Sequence, residues 1–210
     1  MNIAFIDEWV KFSTNNKINI NGAISEIKKR STHSNIMRPG IGVGGYCLTK
    51  DPYFMNYSAN NLFKSTNRFP FIDLSLKVNR NMPKTSVNFL KTIFKNIKKP
   101  RLLLLGISYK QNVKDLRSSP TLILKKILLK LNYKIDTHDY FFDKKNLNNK
   151  LKINSYNGII FCVPHNKYKS LPLSFFKKKY IYVDLSMTFG IKKIENLRKK
   201  KINIIQLGSY

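Results

Sequence analysis

The chain has only two cysteines in 210 residues, Cys47 and Cys162, 115 positions apart. That excludes a disulfide framework and fits a reduced, cytoplasmic setting. Long apolar runs are missing as well. None approaches membrane-spanning length, and the opening stretch Met1-Asn-Ile-Ala-Phe-Ile-Asp-Glu8 lacks the basic-then-apolar order of a signal peptide. A soluble protein with no membrane partner is expected. No metal-ligand spacing occurs around His33, His138 or His165, so no metal is expected. No internal repeat appears.

Acidic residues are scarce, 11 against 39 Lys and Arg, for a formal charge of +28. Such a balance ordinarily points to nucleic acid. Here the lysines are dispersed, as in Lys98-Lys99, Lys125-Lys126 and Lys177 to Lys179. No RNP, zinc-finger or helix-turn-helix signature accompanies them. Lys, Asn and Ile are the residues of A/T-rich codons, so base composition can supply the charge without a polyanion partner. No specific nucleic-acid partner is expected, although an anionic nucleotide ligand would suit the charge.

What is there divides near residue 98. Hydrophobic content of 42% is ample for a core. Ile3, Ile6 and Val10 share one helical stripe, with Phe5, Trp9 and Phe12 beside it, and Ser13 to Asn16 break the pattern. Asn21 can cap a second helix over Gly22 to Arg30. A glycine loop from Ser31 to Pro52 follows, then a helix over Tyr53 to Asn61. A long amphipathic helix over Phe71 to Lys98 is expected to kink or break at Pro83. After Pro100 the texture changes. Arg101 to Leu105, Lys134 to His138, Gly158 to Val163, Tyr180 to Leu185 and Ile202 to Gln206 read as strands. Pro120 to Leu131, Leu171 to Lys177 and Ile191 to Lys200 read as helices between them, and Asp143 to Lys152 as a polar loop. The fold class is therefore α/β: an all-helical domain over 1–98, then a Rossmann-like, doubly wound parallel-sheet domain over 99–210.

Two segments carry chemistry. Four of nine glycines, Gly40, Gly42, Gly44 and Gly45, fall in one short loop that then presents Cys47, with Lys50 and Asp51 just behind. A thiol beside a cation and a carboxylate reads as a prepared nucleophile. The alternative is a glycine-rich turn carrying a buried, inert cysteine. Gly40-Ile-Gly-Val-Gly-Gly45 matches the dinucleotide pattern G-x-G-x-x-G literally, but it follows Met37-Arg-Pro39 rather than a strand, so the context fails. The second segment, Gly106 to Pro120, leaves the first parallel strand and enters a helix. Lys110 and Arg117 supply cations there for a phosphate or diphosphate. Cys162 reads as inert core, His165 as either site or structure, and nothing pairs Cys47 with a histidine as a cysteine hydrolase would.

Together these residues resemble the UDP-glucose/GDP-mannose dehydrogenase family of NAD-dependent nucleotide-sugar 6-dehydrogenases. Pro39-Gly-Ile-Gly-Val-Gly-Gly-Tyr-Cys-Leu-Thr-Lys-Asp51 is similar to its catalytic cysteine loop. Val78-Asn-Arg-Asn-Met-Pro83 is similar to the motif of its long linking helix, and Gly106 to Pro120 to the start of its UDP-binding domain. The resemblance implies oxidation of a UDP-sugar C6 alcohol to a uronic acid for polysaccharide precursors, with NAD as cofactor. Cys47 would carry the thioester, and Asp51, with Lys50 beside it, would position water. Gly42, Gly44, Gly45, Tyr46 and Lys110 would bind substrate. Arg117 would stand near the cofactor. It also implies a dimer built on the helical domain and a preceding NAD-binding domain. From the sequence that domain is expected to be absent, as in a truncated or split gene, so that the chain alone is inactive and needs a separately encoded NAD domain. The competing expectation is a non-catalytic UDP-sugar-binding or dimerising remnant.

Overall fold

The computed structural model describes residues 1–143, 146–153 and 155–209. Its first half is helical: α1 Asn2–Asn15, α2 Ile20–Ile27, the short α3 Cys47–Lys50, α4 Pro52–Asn61 and α5 Pro70–Ile93. On α1 the Ile6 and Val10 stripe is fully buried, whereas the adjoining Phe5 and Phe12 face solvent. Asn19, not Asn21, caps α2, its side chain accepting the Gly22 N–H at 3.1 Å. Asn21 lies inside the helix and donates across the molecule to the Leu207 carbonyl at 2.9 Å.

The helix α5 runs through Pro83 without a break. Packing of Met82, Val87 and Leu90, all buried, holds both halves of it in place against the missing hydrogen bond. It stops at Ile93, five residues short of expectation. Phe94 then turns into the core, where its ring lies against Gly158 so closely that a Cβ there would come within 2.4 Å.

The second half is a five-stranded parallel sheet, β1 Arg101–Leu105, β2 Lys134–His138, β3 Gly158–Phe161, β4 Ile181–Asp184 and β5 Ile204–Gln206, in the order β2-β1-β3-β4-β5. Alternate residues of the buried run Leu102 to Leu105 serve two cores. Leu102 and Leu104 face a cluster that includes Ile6 and Val10 of α1, Leu90 of α5 and Leu124 of α6 Pro120–Lys130. The helical half thus packs on one face of the sheet. Leu103 and Leu105 face the other cluster, with Tyr168 of α8 Asn166–Lys169 and Leu197 of α9 Ile191–Lys199.

Two expectations fail between the strands. The stretch Asp143 to Lys152 is not simply a polar loop: α7 Leu147–Ile153 forms there, anchored by buried Leu147. Lys144 and Lys145 lie outside the described residues. Conversely, Leu171 to Lys177 is not a helix. Pro172 starts only a 3-10 turn over Leu173–Phe175, and α8 precedes it. Among the described residues no helix is long and apolar enough to cross a membrane.

Candidate functional site

In a sheet ordered β2-β1-β3-β4-β5, the connections diverge between β1 and β3, and ligands of such folds bind beyond the carboxyl ends of those strands. A cleft of about 750 Å³ opens there. One wall is the glycine loop from Met37 to Leu48. The other is the β1–α6 loop, through Ser108 to Gln111 and Arg117, together with Cys162 to Pro164 and Ser186-Met187 at the ends of β3 and β4. The cleft therefore brings together the two segments singled out above, some 60 residues apart in sequence.

Cys47 is exposed at the first residue of α3 and lines this cleft, so it is not an inert core thiol. Cys162 lines it too but is buried, and burial pushes its thiol well above the ordinary range. The lining ends at Leu48. Lys50 and Asp51 stand behind it, ion-paired to each other at 2.8 Å. The Lys50 ammonium also lies 4.4 Å from the Tyr46 ring centre and 4.2 Å from that of Phe54. The hydrogen bond to Asp51, with further attraction from that carboxylate, holds Lys50 above the usual lysine value.

The glycines serve contacts within the chain. Gly42 and Gly45 have φ of +109° and +85°, which L side chains rarely adopt. A Cβ on Gly44 would meet the Ser118 carbonyl oxygen at 2.5 Å and one on Gly45 the Tyr109 ring at 2.7 Å. The Gly45 N–H donates to the Arg117 carbonyl at 2.8 Å. The room left by Gly44 and Gly45 is thus filled by the β1–α6 loop, and the glycine loop is seated on it.

On the opposite wall Lys110 is exposed and has no carboxylate partner among the described residues. Arg117 is committed: Nε and Nη2 donate to Asp115, the shortest contact being 2.6 Å, and this pairing holds the Asp115 carboxyl below the usual range. Its guanidinium also approaches the Tyr46 ring at 5.9 Å.

Sequence reasoning missed what holds the β1–α6 loop. Asp139, just past β2 and enclosed from solvent, accepts the Ile107 and Ser108 N–H groups at 2.8 and 3.0 Å and the Ser108 hydroxyl at 2.9 Å. His165 is buried and lies off the cleft wall. Its Nε2 donates to Asp139 at 3.1 Å, and its Nδ1 accepts the Asn112 N–H at 2.8 Å. His165 is therefore a strut. His33 sits exposed beside Thr32, the His138 ring meets the Tyr168 hydroxyl, and no histidine lines the cleft among the described residues. Among those residues no cluster of metal-ligating side chains exists.

The literal G-x-G-x-x-G is no dinucleotide cradle. It follows no strand, and its inner faces are taken by Asn79, Tyr109 and Ser118. The first β–α turn, Gly106 to Ser119, contains one glycine, whose Cβ position is blocked by Val163. The described residues do not fit the diphosphate cradle that NAD requires.

An open α/β sheet whose switch point is faced by a cysteine-bearing glycine loop makes a ligand-sized cleft with a thiol on its wall. The sequence of residues 1–81 matches the central domain of the UDP-glucose/GDP-mannose dehydrogenase family, and that of residues 103–190 matches the same family's UDP binding domain. The chain belongs to this family. It is 31% identical over 188 residues to a UDP-N-acetyl-D-mannosamine dehydrogenase of Methanococcus vannielii, covering 86% of this chain and 40% of that protein. A protein of the same description from Methanococcus aeolicus is 30% identical over 207 residues, covering 96% of this chain and 42% of the relative. Among solved structures, UDP-D-ManNAc dehydrogenase from Pyrococcus horikoshii superposes with a TM-score of 0.80 at 24% identity, over 99% of this chain and 48% of that one. The chain thus spans less than half the length of these relatives.

Proposed function

We propose that this chain is the nucleophile- and nucleotide-binding part of an NAD-dependent dehydrogenase that oxidises the C6 alcohol of a UDP-N-acetylhexosamine to the uronic acid. The observation that carries it is an exposed Cys47 lining one cleft with Lys110, which has no carboxylate partner among the described residues, in a chain 31% identical to a UDP-N-acetyl-D-mannosamine dehydrogenase. The two domains are 1–98 and 99–210. Lys110 takes the diphosphate, and the backbone of Gly42, Gly44, Gly45 and Tyr46 walls the sugar. Cys47 adds to the C6 aldehyde and holds it as a thiohemiacetal. Water later releases the carboxylate from the thioester and returns the thiol. The Lys50–Asp51 pair orients that water, and Arg117 marks the cofactor side of the cleft. Two hydrides must leave C6, one from the alcohol to give the aldehyde and one from the thiohemiacetal to give the thioester, and two NAD would accept them at a site outside the described residues. The exposed Leu62, Phe63, Phe71 and Leu74 of the helical half support a homodimer, which sedimentation of the purified chain reads directly.

The test is co-expression with an NAD-binding domain of the same family and measurement of NADH absorbance with UDP-N-acetyl-D-mannosamine. Activity is expected with the pair and not with this chain alone, and Cys47→Ala should bring uronate formation to background. Calorimetric titration of the chain with UDP should give heat that Lys110→Ala removes. Heat without activity in the pair favours the non-catalytic binding remnant, and absence of both rejects the proposal.

A further inference from the structure

One motif of the sequence has no task in this scheme: Val78-Asn-Arg-Asn-Met-Pro83, in the middle of α5. Proline brings no N–H, so Pro83 leaves the carbonyl of Asn79, four residues earlier, without its helical donor. That carbonyl faces the glycine loop. A Cβ built on Gly42 would lie 3.1 Å from it, a tight contact at a φ that L side chains rarely adopt. The Asn79 side chain reaches the next residue. Its Oδ1 accepts the Val43 N–H at 2.6 Å and its Nδ2 donates to the Val43 carbonyl at 3.0 Å. A carboxamide is the side-chain group that can do both at once, as a neighbouring strand would.

Val43 is four residues ahead of Cys47. Between them the loop is tethered again at Gly45 and Tyr46: the Gly45 N–H bonds to the Arg117 carbonyl at 2.8 Å, and the Gly45 and Tyr46 carbonyls accept from the Thr49 hydroxyl at 2.8 and 3.0 Å. The lead-in to the thiol is therefore pinned to α5 at one point and to the β1–α6 loop at the other. Remove the first tether and the second still seats the loop, but the approach of the chain to Cys47 is free to pivot about Gly45.

We propose that Asn79 is the positioning residue of Cys47, setting where the thiol stands in the cleft by clamping Val43 to α5. The inference rests on the reading of Cys47 as the nucleophile, yet its first readout needs no catalysis. Cys47 is exposed and Cys162 buried, so alkylation of the native protein by iodoacetamide, followed by peptide mass, reports on Cys47 alone. Asn79→Ala should alter that rate by about fivefold or more at temperatures far below its melting midpoint, since small displacements of a reacting group have large rate effects. Asn79→Asp keeps an acceptor for the shorter bond and should fall between alanine and wild type. A merely structural asparagine would lower the melting temperature and leave the folded-state rate alone. In the co-expressed dehydrogenase, Asn79→Ala should lower kcat by about tenfold or more with little change in KM for the UDP-sugar. If the wild-type pair is inactive, the proposed function fails while alkylation still decides the clamp. Equal alkylation rates, within about twofold, in folded Asn79→Ala and wild type overturn it. Should the alanine variant not fold, equal rates in Asn79→Asp and wild type do the same.

Discussion

Replacing Asp7 with asparagine should stabilise the protein at pH 8 and remove most of a decline in stability between about pH 4 and pH 7. Asp7 sits on α1 with 1% of its surface exposed, and neither carboxylate oxygen has a hydrogen-bond partner among the described residues. Burial pushes its pKa up from 3.8 to about 7. The Gly40 N–H is near enough to pull that value back slightly, but it does not meet hydrogen-bond geometry. Between the unfolded and folded values the native state holds a proton that the unfolded chain has lost. Stability is then greatest below pH 4, falls as pH rises towards 7 and levels beyond it. A displacement of roughly three pH units corresponds to about 4 kcal/mol as an upper figure. Asparagine keeps the shape and cannot ionise. It stays polar, so the gain at pH 8 should be smaller, about 1–3 kcal/mol after the cost of an unpaired amide. Urea titrations at pH 5 and pH 8 for both proteins measure this. Parallel pH dependence in the two would mean that Asp7 has a partner in solution after all. Because Gly40 opens the glycine loop, the substitution also tests whether that loop is seated over an uncompensated acid.

The sequence made the sheet legible because parallel strands covered on both faces are continuous apolar runs. Leu102 to Leu105 needed no long-range information to be read. The glycine loop and Cys47 were legible as chemistry, since a thiol with glycines before it and charges behind it is locally unusual. The reason for the glycines was not. Gly44 and Gly45 are small because Ser118 and Tyr109, more than 60 residues on, press against them. Asn19 and Asn21 are both good caps by type. Only tertiary structure shows that one caps α2 while the other reaches Leu207. Pro83 carried a local signal for a kink or a break, and the helix continues through it with buried residues on both sides. Lys50 and Asp51 are neighbours of the thiol by spacing, and their 2.8 Å pairing with each other is equally local. The reach of Asn21 to Leu207 and the packing of Gly44 and Gly45 depend on partners distant in sequence, which periodicity and composition do not encode.

The same limit hid Asp139, whose removal should have the opposite effect to that of Asp7. Asp139→Leu is expected to cost about 3–5 kcal/mol, because it strips partners from groups that stay buried. Asp139 is enclosed from solvent, though shallow at the end of β2. Burial works to raise its pKa, and the hydrogen bonds from His165, Phe141, Ser108 and Ile107 together outweigh it, holding the carboxyl well below the usual range. For a depressed carboxylate the stabilisation is present above the unfolded value and is lost as pH falls through the folded one. Its window therefore lies below about pH 4, on the acid side of the Asp7 window. The two variants should bend the pH–stability curve at different places, which separates them even if both melts shift. The functional consequence is local. Ile107 and Ser108 hang directly from Asp139, and Asn112 hangs from it through His165, so Lys110 is carried between two tethers that share one carboxylate. Asp139→Asn preserves volume but turns an amide towards groups that donate, so the loop should lose its form while the sheet survives. Heat of UDP binding should then vanish at temperatures where circular dichroism still reports a folded protein. UDP binding that persists in folded Asp139→Asn would show that the β1–α6 loop keeps Lys110 in place without this carboxylate.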